Sequence, residues 1–261
     1  NSERLAKARS KDSELVDRIE KATRPSVTAA ACDGMDDAAS NGDGALYVWC
    51  NRVLNRAVAA AAQEGLEGLS YGISTWDSWS KRLSDAYKVR TVLYDCYATL
   101  ANSGRTPALE GYATQYVRKE VCIAGSESTE ASGRRFETLR AHLAERGPRG
   151  TLVKIDVEGA EWAALEGLPD HELQKVDMLD LQFYPCASTP KEGAEKHKLL
   201  RRRVSILERL VQVFAVTARA PSNDRKFRAR NDKELCTSSY PQSFSVSFVS
   251  KARLAELVKT R

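Results

Sequence analysis

From Leu69 onward, short runs rich in β-branched and aromatic residues alternate with amphipathic stretches of helical period. Parallel strands need a crossover connection, usually a helix, so this alternation predicts a parallel sheet covered by helices. The predicted strands are Leu69–Ile73, Thr91–Tyr94, Val117–Ile123, Thr151–Ile155, Met178–Tyr184, Val211–Thr217 and Phe244–Val249. The predicted helices are Trp76–Tyr87, Gly133–Arg146, Glu161–Gly167, Glu192–Leu210 and a last one from Ala252 to the end. We expect an α/β fold with an open, doubly wound sheet of seven strands.

The first 65 residues have a different texture. Ser2–Lys21 mixes apolar and charged residues as a surface helix does, and Leu46–Glu64 has strong helical propensity. Between them, Ala30–Gly44 has the composition of a loop. We therefore predict an N-terminal helical extension over residues 1–65 and one domain over residues 66–261.

Composition excludes several classes of protein. With 42% hydrophobic and 29% charged residues, the 261-residue chain is not disordered throughout, and its longest apolar run, Ala57–Ala62, is too short for a membrane helix. The sequence starts at Asn1 rather than Met, so we expect a trimmed N-terminus and leave the compartment open between cytoplasm and secretory lumen. The three histidines are expected on the solvated surface.

The six cysteines are scattered, with no Cys-x-x-Cys pair and no nearby histidine, so no zinc site is predicted. A chain of this length can bury a core without disulfides, and we expect mostly buried, reduced thiols.

Basic charge is concentrated in one segment. Residues 191–233 hold 13 basic and 5 acidic residues, whereas the rest of the chain holds 27 basic and 30 acidic ones. This segment could select an anionic ligand, although a solvated helix face explains it equally well. It lacks the interleaved aromatic residues of a stacking platform, so binding of nucleic acid is disfavoured.

In open α/β sheets, ligands bind beyond the carboxyl ends of the strands. Gly72 ends the first predicted strand, and Asp95 ends the second about twenty residues later, where a carboxylate can accept the ribose hydroxyls of an adenosine-type cofactor. Taken alone, Gly72 is an ordinary turn and Asp95 a helix N-cap or an exposed turn. The glycine fingerprint of a dinucleotide site is absent, which disfavours a nicotinamide-dependent oxidoreductase.

The most specific string is KIDVEGAE, Lys154–Glu161, at the end of the fourth predicted strand. It resembles the fourth-strand motif of FkbM-type methyltransferases, a branch of the class I S-adenosylmethionine-dependent enzymes. YGISTWDSWSKRL (Tyr71–Leu83) resembles the first motif of the related animal methyltransferase-like proteins. VLYDCY (Val92–Tyr97) resembles their second strand, and SFSVSFVS (Ser243–Ser250) their closing strand.

The resemblance spans residues 69–250 and implies a Rossmann-like methyltransferase sheet with an antiparallel last strand, S-adenosylmethionine as cofactor, and transfer of a methyl group to an oxygen of a small-molecule or glycan acceptor. It places the methionine and ribose side of the cofactor on Gly72, Ile73 and Ser74, the ribose hydroxyls on Asp95, and the sulfonium or the acceptor near Asp156. The neighbouring residues Cys96, Ala124 and Gly125 are assigned to the same cofactor.

Two departures from the family pattern bear on activity. Gly-Ile-Ser replaces the more usual Gly-x-Gly, and Gln182 stands where the animal relatives place a histidine. Glutamine cannot act as a general base, so the candidates for that role are Asp156, Glu158 and Asp180. Asp156 and Glu158 could also ligate a divalent cation, but without a third ligand no metal site is assigned. The alternative function is a catalytically silent protein of the same fold that binds an anionic partner through residues 191–233.

Overall fold

The structure, a computed structural model, describes residues 13–40, 46–73, 77–97, 111–187, 193–221 and 243–259. A short 3-10 helix covers Ala29–Cys32. The other elements, in chain order, are α1 (13–22), β1 (Met35–Ser40), β2 (Leu46–Cys50), α2 (Asn51–Glu64), β3 (Glu67–Tyr71), α3 (Ser78–Tyr87), β4 (Arg90–Tyr94), β5 (Tyr116–Lys119), β6 (Val121–Ala124), β7 (Ser128–Thr129), β8 (Arg135–Thr138), α4 (Leu139–Ala144), β9 (Thr151–Ile155), α5 (Glu161–Glu166), α6 (Asp170–Leu173), β10 (Val176–Phe183), α7 (Ala194–Val213), β11 (Phe214–Pro221), β12 (Phe244–Ser250) and α8 (Lys251–Lys259).

The main sheet has seven strands in the order β11-β12-β10-β9-β3-β4-β5. The neighbouring pairs from β10 to β5 are parallel, whereas β12 is antiparallel to both β10 and β11. The predicted α/β fold is thereby confirmed, with a mostly parallel, Rossmann-like sheet of seven strands and an antiparallel last strand. None of the described helices is long and apolar enough to cross a membrane.

Side chains alternate between the two faces of the sheet. One face carries Leu69, Tyr71, Val153 and Ile155 and packs against apolar residues of α1, α4, α5 and α7; we call it the α5 face. The opposite face carries Leu152 and Met178 and packs against Trp49 of β2, Val53 and Leu54 of α2, and Trp79 and Leu83 of α3; we call it the α3 face. Each face thus has its own apolar core, and the lysine in β9 lies in the second one.

The predicted third strand, Val117–Ile123, is wrong as a single element. The structure divides it into β5, which pairs with β4 at the edge of the main sheet, and β6, which belongs to a small sheet of order β6-β8-β7. The predicted helix Gly133–Arg146 is likewise shorter, because β8 pairs with both β6 and β7 before α4 begins at Leu139. Tertiary pairing overrides local propensity in both places.

The N-terminal region is less helical than predicted. β1 and β2 form an antiparallel hairpin where the sequence predicts a loop and the start of a helix. β2 contacts the main sheet, since the Val48 amide donates to Ser247 Oγ at 2.9 Å and Thr217 Oγ1 donates to the Val48 carbonyl at 3.0 Å. The apolar run before Asn51 is therefore a strand that covers the α3 face, and the boundary at residue 65 stays a prediction.

The expectation of reduced thiols is wrong. Cys32 and Cys50 form a disulfide with a Cα separation of 4.8 Å, and Cys96 and Cys122 form another at 5.0 Å. Cys186 is also disulfide-bonded. The paired cysteines are far apart in sequence, by 18 and 26 residues, which is why the spacing alone does not reveal them.

Candidate functional site

Four polar or glycine positions lie side by side where the central strands end. Tyr71 pairs with Tyr94 on one side and with Ile155 on the other, and Ile155 pairs with Leu181. The residues that follow these four are Asp95, Gly72, Asp156 and Gln182, which we call the mouth row. Backbone hydrogen bonds extend the strands to this row: the amide of Gly72 donates to the Tyr94 carbonyl at 3.0 Å, and that of Asp156 to the Tyr71 carbonyl at 3.1 Å.

The mouth row lies at the switch in strand order. From β3 the chain continues to β4 and β5 on one side of the sheet, and then to β9 and β10 on the other. Gly72 and Asp156 therefore follow the two neighbouring strands at which the order reverses, and open α/β sheets bind their ligands beyond the carboxyl ends of such strands. The structure brings Gly72, Asp95 and Asp156 together at this edge of the sheet, and their assignment to a cofactor stays a prediction.

Gly72 is required by close approach of two strands. Its φ is +77°, and a Cβ atom at this position would lie 1.7 Å from the carbonyl oxygen of Asp156. No other residue type fits without moving β9 away from β3. Ile73 is buried and packs with Leu93, and Ser74 lies outside the described residues.

A buried lysine supports the glycine from below. Lys154 Nζ donates to the Gly72 carbonyl at 2.9 Å and lies 3.7 Å from Asp77 Oδ1, and both side chains are fully buried. Asp77 also caps α3, since its Oδ2 accepts from the Ser80 amide. This arrangement connects the end of β3, the middle of β9 and the start of α3. The signal for it in the sequence is a lysine inside an otherwise apolar strand.

Asp95 is half-buried at the end of β4. Its Oδ1 accepts from the amide of Tyr97 at 2.8 Å, the bond of a tight turn, which is the ordinary structural use of an aspartate after a strand. The side chain of Cys96 is committed to the disulfide with Cys122, so the end of β4 is covalently joined to β6.

Ala124 and Gly125 are not part of the mouth row. They lie at the end of β6 against α5, where a Cβ on Gly125 would come 3.1 Å from the Ala163 carbonyl oxygen. With residues of α4 and α5 they line a cavity of about 460 Å³ whose lining contains none of Gly72, Asp95 and Asp156. Their assignment to the cofactor stays a prediction.

The turn between β9 and α5 explains the KIDVEGAE string. Glu158 is exposed and has φ +52°, and Gly159 has φ +116° with its missing Cβ only 2.6 Å from Ala187 Cβ. Glu161 is fully buried: its Oε2 accepts from the Gly159 amide at 2.6 Å and its Oε1 from the Tyr184 amide at 2.9 Å. Burial raises the pKa of Glu161 to about 7, against the effect of these hydrogen bonds and of the Arg203 charge.

Glu158 does not lie in a strand. The suggestion that Asp156 and Glu158 share a divalent cation assumes strand geometry at both residues. The left-handed backbone at Glu158 belongs to a turn, so the rule that residues two apart in a strand share a face does not apply. Within the described residues no group of three His, Cys, Asp or Glu side chains could hold a metal ion.

A chain of hydrogen bonds joins the mouth row to Tyr184. Gln182 Nε2 donates to the Tyr184 hydroxyl at 2.8 Å, and this hydroxyl donates to Asp156 Oδ1 at 3.4 Å. Gln182 is 2% exposed, and its Oε1 is buried without a hydrogen-bond partner. Tyr184 was not among the predicted catalytic residues. The signal that could have found it is its position two residues after Gln182, on the same face of the strand.

Asp180 does not lie at the mouth, so the prediction that it is a catalytic base is wrong in its premise. It lies one step lower on the α3 face, in an inner row that pairs Ser70 with Lys154, Lys154 with Asp180, and Asp180 with Ser247. Its carboxylate is buried and accepts from Trp49 Nε1 at 2.8 Å, Trp79 Nε1 at 2.7 Å and Ser247 Oγ at 2.6 Å. Burial raises the pKa of Asp180 to about 6, although the hydrogen bonds from these three donors act in the opposite direction.

His142 is buried rather than solvated. It lies between the Tyr71 hydroxyl, 2.9 Å from Nδ1, and Glu137 Oε2, 2.7 Å from Nε2, and stacks on Tyr94. Burial lowers the pKa of His142, although Glu137 acts in the opposite direction. These groups lie on the α5 face, under the strand ends that carry Gly72 and Asp95.

In the described part of the basic segment, some basic side chains are buried and hold the fold together, whereas others are exposed to solvent. Arg203 is buried and donates to the carbonyls of Pro185 at 2.7 Å and Ala187 at 2.6 Å, so it holds the loop after β10. Arg201 and Arg202 are exposed, and Arg202 pairs with Glu166. Arg225–Arg230 lie outside the described residues.

No protein-family model matches the sequence, and no curated protein matches it. Among solved structures, the chain is similar to a candidate O-methyltransferase from Klebsiella pneumoniae, with 12% identity over 91% of this chain and 96% of that chain and a TM-score of 0.41. It is also similar to Trm1 from Pyrococcus horikoshii in complex with S-adenosyl-L-methionine, with 12% identity over 84% and 60% of the two chains and a TM-score of 0.36. A 16S rRNA adenine methyltransferase from Catenulisporales acidiphilia shows 15% identity over 76% and 93%, with a TM-score of 0.37. At these values the likeness concerns the fold alone, which we assign from the chain's own strand order and directions.

Proposed function

We propose that the protein is an S-adenosylmethionine-dependent methyltransferase of the FkbM type that methylates an oxygen of a small-molecule or glycan acceptor. The observation that carries the proposal is the mouth row, which brings Asp95, Gly72, Asp156 and Gln182 to the switch point of a seven-stranded sheet. The resemblance of KIDVEGAE, Lys154–Glu161, to the fourth-strand motif of these enzymes supports it.

The residues of the mouth suit this cofactor chemically. Asp95 is a half-buried carboxylate at the end of the second strand, able to accept hydrogen bonds from a ribose diol. Gly72 keeps the bottom of the mouth free of a side chain, and Asp156 places a negative charge beside it, which favours a sulfonium cation. When bound, the cofactor supplies an electrophilic methyl group. The contribution of the protein is to align the acceptor oxygen with that carbon and to receive its proton.

Thermal unfolding with and without S-adenosylmethionine and S-adenosylhomocysteine tests the proposal. A ligand at about 100 times its Kd adds about 2.7 kcal/mol to the free energy of unfolding, which is a readily measured shift. We expect both ligands to stabilise the protein and Asp95→Ala to weaken their binding by about 10-fold or more, since hydrogen bonds to charged groups contribute about 1.5–3 kcal/mol.

Glu20→Ala is the matched control, because Glu20 is an exposed carboxylate on α1, which packs on the opposite face of the sheet. It should leave both affinities unchanged. Absence of a shift with either ligand at millimolar concentration would refute the proposal and favour the silent, anion-binding alternative.

A further inference from the structure

We propose that Asp156, Tyr184 and Gln182 form the acceptor subsite of the mouth, and that this subsite takes a neutral hydroxyl group rather than a carboxylate. The inference rests on the proposed function and narrows its acceptor class. It assigns a catalytic role to Tyr184 and a positioning role to Gln182.

The spacing of Tyr184 and Asp156 suits a shared ligand. The Tyr184 hydroxyl lies 3.4 Å from Asp156 Oδ1, whereas a hydroxyl-to-oxygen bond is typically about 2.7–2.8 Å long. One oxygen atom beside the pair can therefore lie at full hydrogen-bond distance from both. That oxygen would accept from the phenol and donate to the carboxylate, which a hydroxyl can do and a carboxylate cannot.

The phenol is held in place from three directions. Glu161 Oε1 accepts from the Tyr184 amide at 2.9 Å, and Trp162 Nε1 donates to the Tyr184 carbonyl at 2.9 Å, so the backbone of this residue is fixed. Gln182 Nε2 donates to the phenol oxygen at 2.8 Å, which leaves the phenol hydrogen to point toward Asp156. Gln182 thus orients Tyr184 without being a base itself.

The electrostatics of the subsite oppose an anionic reacting group. Asp156 is a carboxylate, and the buried Gln182 Oε1 is a second acceptor oxygen that lacks a donor. Of the cations described beside the mouth, Lys154 is engaged by the Gly72 carbonyl and Asp77, and Arg203 by the carbonyls of Pro185 and Ala187. A carboxylate placed here would meet the like charge of Asp156, and both of these described cations are already engaged, whereas a hydroxyl brings a hydrogen-bond donor to Asp156.

The acceptor oxygen forms a bond to the methyl carbon while the carbon–sulfur bond breaks and its electron pair stays on sulfur. The hydroxyl proton passes to Asp156, and the Tyr184 hydrogen bond keeps the oxygen lone pair directed at the carbon. The products are a methyl ether, the thioether S-adenosylhomocysteine and one proton, which Asp156 then releases to water.

A probe panel tests the acceptor class. Protein saturated with S-adenosylmethionine is incubated separately with methyl glucoside, glucuronate, phenol and benzoate, and S-adenosylhomocysteine and the methylated product are measured by mass spectrometry. We expect base-stable methyl ethers from the hydroxyl probes. Base-labile methyl esters from glucuronate or benzoate would overturn the assignment, and so would binding of the cofactor without turnover of any hydroxyl probe. Failure to bind the cofactor at all would instead refute the proposed function.

Variants then test the two residues with the best hydroxyl probe. Tyr184→Phe should lower kcat about tenfold, the effect of one lost hydrogen bond, with cofactor affinity unchanged. The matched control is Tyr87→Phe, which removes a phenol that donates to Asp36 at 2.9 Å away from the mouth, and it should leave kcat unchanged. Unchanged kcat in Tyr184→Phe would overturn the role of Tyr184.

The role of Gln182 is tested by a double-mutant cycle. Gln182→Leu alone should lower kcat severalfold, and the double variant with Tyr184→Phe should be no slower than Tyr184→Phe alone, because Gln182 acts through the phenol. Multiplicative effects of the two substitutions would show that Gln182 acts independently and would overturn its positioning role.

Discussion

The mouth row and the inner row lie on the same face of the sheet, one step apart along the strands, and their polar residues are used differently. In the inner row, Asp180 is buried and accepts from three donors, and Lys154 is enclosed between Gly72 and Asp77. In the mouth row, Asp95 and Asp156 are only half-buried, and the side-chain oxygen of Gln182, Oε1, accepts no hydrogen bond. A displacement of two residues along a strand therefore separates a carboxylate that holds the fold together from one that can meet a ligand.

Among the substitutions in the mouth row, replacement of Asp156 should have the largest effect on turnover. Asp156→Asn removes the group that we propose as the receiver of the acceptor proton, so we expect turnover to fall about 10²- to 10⁴-fold with little change in melting temperature. S-adenosylhomocysteine formation under saturating substrates measures it. Glu158→Gln, an exposed carboxylate two residues away, is the control and should retain activity. The opposite ranking of these two variants would assign the base to Glu158.

The inner carboxylate should matter for stability instead. Asp180→Ala leaves the indole groups of Trp49 and Trp79 and the Ser247 hydroxyl without their acceptor, and we expect it to lower the free energy of unfolding by roughly 3 kcal/mol or more. Urea unfolding measures this, with Asp36→Ala as the control, because the Asp36 side chain is 40% exposed. If Asp180→Ala abolished turnover while the unfolding curve stayed in place, the distinction between the rows would fail.

Comparison of alanine substitutions at Gly65 and Gly72 distinguishes the cost of backbone strain from the cost of steric crowding. Gly65 and Gly72 have nearly the same φ, +72° and +77°, but a Cβ on Gly65 meets nothing within 4 Å, whereas one on Gly72 meets the Asp156 carbonyl. Gly65→Ala should cost about 1 kcal/mol from strain alone. Gly72→Ala should cost a further ~1–3 kcal/mol from crowding and should also weaken cofactor binding by displacing Asp156. Equal losses of unfolding free energy in the two variants would mean that the backbone after β9 moves away from Gly72 at little cost.

The stability of the folded protein should also decline gradually with pH. The folded protein raises the pKa of Glu161 from 4.5 to about 7, so between these values it binds a proton that the unfolded chain has released. The stability contributed by the protonated carboxyl is complete below pH 4.5 and is lost as the pH rises through 7. The slope from this group is at most about 1.4 kcal/mol per pH unit. Denaturation at pH 5, 6 and 7 should show a decline that is reduced in Glu161→Gln; an unchanged slope would contradict this origin.

The sequence predicts the parallel core of the fold well because that core obeys local rules. The strands that end at Tyr94 and Ile155 are found with the same carboxyl ends, and the seven-stranded order brings Gly72, Asp95 and Asp156 together. Each of these strands is a short apolar run between turn signals, and the ends of parallel strands necessarily meet at one edge.

What the sequence does not predict depends on contacts between distant residues. The β1–β2 hairpin has little strand propensity in Met35–Ser40, and the other strand, β2, is held against the sheet by residues about 170 to 200 positions later. Asp180 follows an apolar run and resembles a mouth acid until Trp49 and Trp79 are seen to enclose it. The spacing of Tyr184 from Gln182 indicates a shared face of the strand, but the role that we propose for Tyr184 depends on its hydrogen bonds to Gln182 and Asp156, which spacing does not reveal.

The redox conditions under which the protein is prepared determine whether its disulfides are formed, and hence which covalent form is assayed. Closing loops of 18 and 26 residues restricts the unfolded chain, with an expected gain of about 3 kcal/mol for each bond in the chain-entropy model. The Cys96–Cys122 bond begins one residue after Asp95. Protein made in a reducing cytosol and protein folded under oxidising conditions are therefore two covalent species, and a titration mixing them would report an average of two affinities.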